Sequence, residues 1–587
     1  MRRGNRSGPR RLVAVAAAGA LVVLAACDPA GDGAGGDPAG RTAGQEGARD
    51  GQQGDGDAPA AVAASLKELA DADVVRGKGA AARALSTSGA MFDSAPVVVL
   101  AAEDQQLRAA SAGAALGVPV LVDGDGAAEE LDRLGAEVAL VLGAVQDPGI
   151  DVVVPSDDAH LAQLLGVDGG PVPVEDEEAV ARLAALEPAT PELLVPAEDD
   201  GAGSDGAGSD GAGGDSAAAT TQAPATAPLT SDRDDLPATT RPEPAQAVTV
   251  LTTGHEDDLA ALGTARAAGA QVLLARDGDP RSTSETVQAL AGQPPEAVLG
   301  LGGRFGDAET LAWRARTAAT GVELPGGGQL VLPGKTYVAL YGTPSTGALG
   351  VLGEQPPEET VTRAEELAAA YEPLTDEPVV PTLEIIVTIA SAGPGGDGNY
   401  SEELAVDEVR PLVDLAAEHG LYVVLDLQPG RTDFLTQAQR YEELLREPHV
   451  GLALDPEWRL QPHEVHLTQI GQVGVEEVNE VVTWLADLTR EHELPQKVLV
   501  LHQFQDRMIP GANDVDRSRS EVAVLIHADG QGAQPDKQHT WRALHQHAPD
   551  VEHWGWKNFY DEDVPGPLSP EETMTLVDPV PDFISYQ

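Results

Sequence analysis

The 587-residue chain has one cysteine, Cys27, so no disulfide can form within it. Basic side chains are also scarce, with 37 Lys and Arg against 95 Asp and Glu, for a formal net charge of -58. Because binding to nucleic acid needs clustered cations, this charge excludes a nucleic-acid partner. Aromatic residues make up only 3% of the chain, whereas Gly and Pro number 65 and 44. Part of the chain is therefore predicted not to pack.

The N-terminus has the pattern of an export signal. Residues 1–11 contain five arginines and no acid, and residues 12–26 form an apolar stretch of 15. That stretch is short for a membrane span and typical of a signal-peptide core. It ends in Leu24-Ala25-Ala26-Cys27, which resembles a bacterial lipobox. The resemblance implies cleavage after residue 26, a lipid on Cys27, and anchoring to the outer face of the cell membrane, within or facing the cell wall.

Two other interpretations of this segment stay open. The stretch could be an uncleaved signal anchor with an incidental cysteine, and Arg10-Arg11 could belong to a twin-arginine export signal.

Two low-complexity segments divide the rest of the chain. Residues 27–60 and 197–246 are rich in Gly, Asp, Ala, Thr and Pro without apolar periodicity, which predicts a disordered tether and a disordered linker. They separate three predicted domains, which comprise residues 61–196, 247–330 and 331–587.

The first two of these domains contain similar patterns. Residues 97–126 and 248–279 each show an apolar strand, an Ala-rich helix, a glycine, a second strand and an Asp-Gly turn. Each segment continues through a further helix to a strand ending in glycine. Alternating strands and helices predict two Rossmann-like α/β repeat units with parallel strands.

The repeated pattern resembles the second type of cell-wall-binding repeat in exported proteins of Gram-positive bacteria. The first copy carries the resemblance in its segments GVPVL (117–121) and LDRLGA (131–136), and the second in GAQVLL (269–274) and Gly302-Gly303. The resemblance implies binding to a cell-wall polymer. A nucleotide-phosphate site and a sensor resembling periplasmic binding proteins remain alternatives, although residues 301–306 lack the G-x-G-x-x-G pattern.

The third domain contains eight apolar β-type runs, most of them separated by helix-like segments. The runs are 337–342, 383–391, 421–428, 450–455, 497–504, 522–530, 551–556 and 582–587. This alternation predicts a (β/α)8 barrel, with an open doubly wound sheet as the alternative. Several of its segments, including VGLALDPEW, resemble an uncharacterised group of actinobacterial exported proteins, which implies no activity.

In such a barrel the strands deliver their C-terminal ends to one rim, where active sites are built. Carboxylates there suit acid–base chemistry on glycosidic bonds, and tryptophans suit stacking on sugar rings. The predicted catalytic residues are Glu457, Asp455 and Asp426. The predicted substrate-binding residues are Trp458, Arg431, Gln428, His502, Gln503, His527, Asp529, Trp554, Trp556, Lys557 and Tyr586.

Asp455 and Glu457 are expected to face the barrel mouth together, because alternate residues of a strand point the same way. Two close carboxylates raise one pKa, so one group could act as a general acid. The D-x-E arrangement resembles barrel glycosidases of the chitinase and bacterial-type lysozyme families. It departs from the chitinase pattern at Ala453, where a further aspartate is expected.

The function stays open between two classes. One hypothesis is a glycoside-hydrolase-like enzyme acting on a glycan, and the other is a surface lipoprotein that binds cell-wall polymer or carbohydrate without turnover. The rim could also be merely polar, with Asp455 paired to Arg459 or Arg431. No cofactor is predicted; a metal site of His502, His527, Asp529 and a carboxylate is geometrically possible.

Overall fold

The computed structural model describes residues 61–187, 190–197, 229–244 and 246–587. The predicted signal peptide, Cys27 with its tether, and residues 198–228 of the predicted linker lie outside the described residues. Within the described ranges, no helix is both long enough and apolar enough to cross a membrane.

The N-terminal half contains two four-stranded parallel sheets. In spatial order, the strands of the first sheet are Val120–Val122, Val97–Ala101, Val138–Leu142 and Asp151–Val153. The strands of the second sheet are Gln271–Leu274, Val248–Thr252, Ala297–Leu301 and Ala72–Val75. Residues 72–75 precede the first sheet in sequence but complete the second, because they pair with 298–301. The two halves of this region are therefore interlaced.

Helices cover these sheets. Around the first sheet they are Ala80–Met91, Gln106–Leu116, Ala127–Leu134, Asp158–Leu164 and Asp176–Ala184, and around the second Leu259–Ala267, Ser284–Gly292 and Ala308–Ala319. Helix Gln106–Leu116 of the first group packs closely on helix Leu259–Ala267 of the second group. A Cβ at Gly263 would lie 2.4 Å from Ala110 Cα, so only glycine permits this approach.

Three short strand pairs complete the N-terminal half. They are Val62–Ala63 with Thr239–Thr240, Ser65–Leu66 with Phe92–Ser94, and Pro171–Val174 with Leu193–Pro196. The first pair uses residues from the predicted linker. Residues 229–244 are thus partly built into the fold, in contrast to the expectation of disorder.

The C-terminal half forms a closed barrel of eight parallel strands, which confirms the predicted barrel. The strands in chain order are β1 (Thr336–Gly342), β2 (Val379–Ala390), β3 (Tyr422–Leu427), β4 (Val450–Leu454), β5 (Lys497–Gln503), β6 (Val522–Ala528), β7 (His553–Asn558) and β8 (Phe583–Tyr586). Pairing of β1 with both β2 and β8 closes the sheet. The short strand Ser401–Glu403 adds antiparallel to the end of β2.

Helices surround most of the barrel. They are Pro357–Ala369, Val406–His419, Phe434–Arg440, Glu442–Leu445, Val475–Glu491, Gln534–His547 and Pro570–Leu576. Between β5 and β6, a segment that the structure describes completely, two 3-10 turns replace the expected helix. Phe504, Gln505 and Arg507 of this segment line the barrel mouth.

Apolar side chains fill the lower barrel, at the N-terminal ends of the strands. Tyr337, Tyr422 and Phe583 pack there with Val498 and Leu525. A larger apolar cluster lies between the outer face of the strands and the helices. Burial on both faces explains why the strands appear in the sequence as nearly continuous apolar runs.

The N-terminal half contacts the barrel at this lower end. The Gln496 backbone N–H donates to the Gln329 carbonyl at 2.9 Å. Its side-chain Oε1 accepts at 3.0 Å from the N–H of Val331, the first residue of the barrel domain. The buried Arg281 guanidinium donates to the Ser520 carbonyl at 3.0 Å. Because Gln496 and Ser520 precede β5 and β6, these contacts leave the opposite rim of the barrel accessible.

Gly555 of β7 permits the close approach of His527 from β6. A Cβ at this position would lie 2.5 Å from His527 Cδ2. We expect Gly555→Ala to lower the free energy of unfolding by about 2 kcal/mol, measured by urea denaturation, because the buried ring has little room to move. Gly566→Ala is the control, since no atom lies within 4 Å of its Cβ position. Equal stability of the two variants would contradict this packing.

Candidate functional site

Polar side chains fill the upper barrel, where the strands end. Those facing inward are Tyr341, Glu384, Asp426, Asp455, His502, His527, Asp529, Lys557 and Ser585, all buried. Strand register explains this grouping, since Tyr341 pairs with Glu384 and His502 pairs with His527. Alternation along each strand then directs these side chains to the barrel axis.

His502 lies at the centre of this group. Its Nε2 is 2.7 Å from Glu384 Oε1, and its Nδ1 is 3.1 Å from Asp529 Oδ2. Both ring nitrogens face carboxylates, so both donate in the imidazolium form. Although burial alone would lower it, the pKa of His502 is raised well above its usual value by Glu384 and Asp529. A cation is therefore fixed between the carboxyl groups of Glu384 and Asp529.

Glu384 was not among the residues expected from the sequence. It lies in β2 within the apolar run LEIIVTIAS and is completely buried. Glutamate is rarely buried without a partner, so one acid in such a run signals an internal contact. The sequence contains that signal but does not identify the partner, because His502 is 118 residues away.

Asp426 of β3 is held by Tyr341 of β1. The Tyr341 hydroxyl donates to Asp426 Oδ2 at 2.8 Å and accepts from Gln428 Nε2 at 3.3 Å. The Lys557 ammonium lies 3.4 Å from the centre of the Tyr341 ring. Burial, with help from Glu384 and against the opposing effect of His502, raises the pKa of Asp426 to about 6. This carboxyl therefore takes up a proton in weakly acidic solution.

Asp455 and Glu457 both line the mouth, but strand alternation accounts only for Asp455. Strand β4 ends at Leu454, and residues 456–458 form a 3-10 turn in which Asp455 Oδ1 accepts from Glu457 N at 3.2 Å. Burial and Asp426 raise the pKa of Asp455 well above its usual value. Burial, with Asp529 next in effect, raises the pKa of Glu457 to about 7.

The two arginines that could have paired with Asp455 have other partners. Arg459 pairs with Glu477, their Nε and Oε1 atoms 3.0 Å apart. Arg431 donates to the Glu464 carbonyl at 2.7 Å, so it anchors a loop and does not contact the cavity, which corrects its predicted place in the site.

Above these groups lies a cavity of about 570 Å³. It receives the predicted residues Gln428, Asp455, Glu457, Trp458, Asp529 and Lys557. It is also lined by residues that were not predicted from the sequence, among them Tyr341, Ile386, Phe504, Gln505, Phe559 and Glu562. Carboxyl groups, a lysine and aromatic rings therefore line one cavity, whose volume suits a small molecule.

The pKa of Asp529 is shifted in the opposite direction to that of Glu457. Burial would raise the pKa of Asp529, but the hydrogen bond and charge of His502, with Lys557, lower it. Its Oδ1 has no hydrogen-bond partner within the described part of the chain. The cavity is thus lined by two carboxyls whose pKa is raised, Asp455 and Glu457, and by one whose pKa is lowered, Asp529.

His527 lies below the cavity. Its Nε2 is 3.1 Å from Ser585 Oγ, and its ring centre is 5.0 Å from that of His502. Burial, with the nearby charges of His502 and Lys557, lowers the pKa of His527 well below its usual value. It therefore remains neutral beside the charged His502. Among the described residues, no group of three or more His, Cys, Asp or Glu is placed to hold a metal ion.

Besides Arg431, His502 and His527, four further predicted substrate contacts lie outside the cavity, which corrects the expectation that they line it. Because Lys557, Ser585 and His502 point inward, their strand neighbours point outward. Trp554 stacks on His545 at 3.6 Å between ring centres, and Trp556 Nε1 donates to Asn558 Oδ1. The Tyr586 hydroxyl is 2.5 Å from that of Tyr371, and Gln503 Nε2 donates to the Gln505 carbonyl.

The raised pKa of Asp426 predicts a pH-dependent stability. The folded protein keeps this proton up to about pH 6, whereas an unfolded aspartate loses it near 3.8. The folded state therefore binds more protons in this interval, and the free energy of unfolding falls as pH rises through it. Asp426→Asn still accepts from Tyr341 but cannot ionise, so we expect it to reduce this fall by on the order of 2 kcal/mol.

Urea denaturation at about pH 4 and about pH 7 measures this effect. Exposed Asp561 changed to asparagine serves as the control. An unchanged fall in Asp426→Asn would contradict the assignment.

Comparisons with known proteins do not identify a family or a function for the chain. No protein-family model matches the chain, and no curated protein matches it. Cwp6 from Clostridium difficile is 10% identical, with a TM-score of 0.28, and the alignment covers 61% of this chain and 63% of that chain. The 7,8-dihydropteroate synthase from Vibrio fischeri ES114 is 11% identical, with a TM-score of 0.25, and the alignment covers 43% and 87%. The chain spans less than two-thirds of Cwp6, and at these scores neither likeness assigns a function.

Proposed function

We propose that the barrel hydrolyses a glycosidic bond, with Glu457 as the general acid and Asp529 as the general base. The observation that carries the proposal is the opposite shift of two carboxyl pKa values at one cavity, upward for Glu457 and downward for Asp529. Acid and base roles follow from environments that separate the pKa values of two such groups.

In the proposed reaction, protonated Glu457 donates to the glycosidic oxygen as the bond from that oxygen to the anomeric carbon breaks. A water molecule adds to the anomeric carbon, and Asp529 accepts the proton that this water releases. The imidazolium of His502 keeps Asp529 ionised through its 3.1 Å contact.

The cavity lining suits a carbohydrate. Trp458, Phe504 and Phe559 present aromatic surface to a sugar ring, whereas Gln428 and Gln505 carry amide groups that can bind hydroxyls. The second candidate function is binding of the same glycan without turnover, and the outcome of the first experiment below distinguishes the two.

We further propose that the protein is an exported lipoprotein anchored through Cys27, and that its N-terminal half binds cell-wall polymer. The lipobox-like sequence supports the first part. The repeat-like segments support binding to cell-wall polymer. The two parallel sheets also support it, because in each sheet the first strand of the predicted repeat unit lies between the second and third strands of that unit.

The first prediction concerns Glu457. Incubation of the full chain with purified bacterial wall glycan should release reducing ends, and Glu457→Gln should lower the rate at least about 100-fold because the amide cannot donate the catalytic proton. The activity of the parent protein should fall as pH rises through about 7, where Glu457 loses its proton. Glu571→Gln, on an exposed helix position, is the control. Binding without release of reducing ends would favour the non-catalytic function.

The second prediction concerns the lipid anchor. In a Gram-positive host supplied with a labelled fatty acid, the protein should become labelled and sediment with membranes. Cys27→Ser should abolish both, because its hydroxyl does not replace the thiol in lipid transfer. Labelling that persists in Cys27→Ser would refute the anchor.

A further inference from the structure

A second cavity of about 390 Å³ adjoins the first at the barrel mouth. Both cavities are lined by Glu457 and Trp458, so the proposed acid stands at their junction. The remaining walls of the second cavity are His466, Leu467, Thr468, Gln469, Ile470 and Arg507. Arg507 Nε donates to Gln505 Oε1 at 2.7 Å, and Gln505 lines the first cavity. The segment after β5 therefore borders both spaces.

The loop that builds the second cavity is held in place by specific contacts. Arg431 donates to the Glu464 carbonyl, and its guanidinium lies 4.4 Å from the centre of the Tyr400 ring. His466 Nε2 lies 2.9 Å from the Tyr400 carbonyl, and the His466 ring meets Trp458 edge-on at 5.3 Å. The cavity wall is thus tied to the aromatic residue at the junction.

Leu467 projects from this loop into solvent. It is 87% exposed, the highest value among the exposed large apolar side chains of the described residues. Its φ of 64° lies in the left-handed region, which leucine rarely occupies. This exposed side chain at the edge of the second cavity is therefore available to contact a ligand there.

We propose that the second cavity is a further sugar subsite, so that the substrate is a linear glycan chain lying across Glu457 with units on both sides of the bond that is cut. This inference rests on the proposed hydrolase function and specifies its substrate class. Trp458 and Leu467 would contact apolar faces of sugar rings, whereas Gln469 and Arg507 would offer hydrogen bonds to hydroxyl or acidic substituents.

The test uses the full chain and wall glycan strands fractionated to two, four and six sugars. In the Glu457→Gln background, which prevents turnover, we measure the Kd for each length by calorimetry. We expect six-sugar strands to bind at least about tenfold more tightly than two-sugar fragments, which need not enter the second cavity. Adding Leu467→Asn should weaken binding of the six-sugar strand about fivefold and leave the two-sugar fragment unchanged, because it removes apolar contact while asparagine tolerates a left-handed backbone.

Leu576→Asn is the matched control, since Leu576 is 56% exposed but lines neither cavity. Equal affinity for all lengths, equal weakening of short and long strands by Leu467→Asn, or no binding at all would overturn the subsite. Length-dependent binding by a parent protein that releases no reducing ends would support the subsite and refute hydrolysis, so the two failures are distinguishable.

Discussion

The contact of the buried His502 imidazole with Glu384 and Asp529 is the constraint on which the barrel mouth depends. A carboxylate buried without a partner would be costly, and a histidine buried alone would lose its charge. Held between the two acids at 2.7 and 3.1 Å, His502 keeps a positive charge and neutralises part of theirs. Three strands, β2, β5 and β6, must be in register for this contact to form.

The fixed cation divides the acids of the mouth into two groups. Asp529 touches His502 directly, and its pKa is lowered. Burial raises the pKa of Asp426, Asp455 and Glu457, none of which makes such a contact. The nearest of them, Asp426 Oδ1, is 3.9 Å from His502 Nε2. The same barrel therefore provides a proton donor and a proton acceptor around neutral pH, and the proposed hydrolysis uses one of each.

The lower end of the barrel is filled by apolar side chains, whereas the upper end is polar. Aromatic and aliphatic side chains close the lower end, to which the N-terminal half is attached through Gln496 and Arg281. The polar upper end is left for binding, and the helix-free segment between β5 and β6 widens it with Phe504, Gln505 and Arg507. The second cavity is lined only by irregular backbone segments after β4 and β5, whereas the first is also lined by strand residues, among them Tyr341, Ile386 and Lys557.

The amino-acid sequence by itself determined eight apolar runs that alternate with helix-like segments, a pattern that favours a barrel over an open doubly wound sheet. Closure was decided only in the tertiary structure, where β1 pairs with β8. The sequence also located the mouth, since residues just after each run must meet at one rim; six predicted residues do line the cavity. Which face each side chain takes was decided only in the tertiary structure. In β7 the side chain of Lys557 faces the barrel interior, whereas those of Trp554 and Trp556 face outward; a shift of one residue would reverse this. The sequence does not show which residues face inward, because strands buried on both faces have no alternation of apolar and polar residues. The pairing of Glu384 with His502 likewise depends on strand register across 118 residues, which local sequence does not encode.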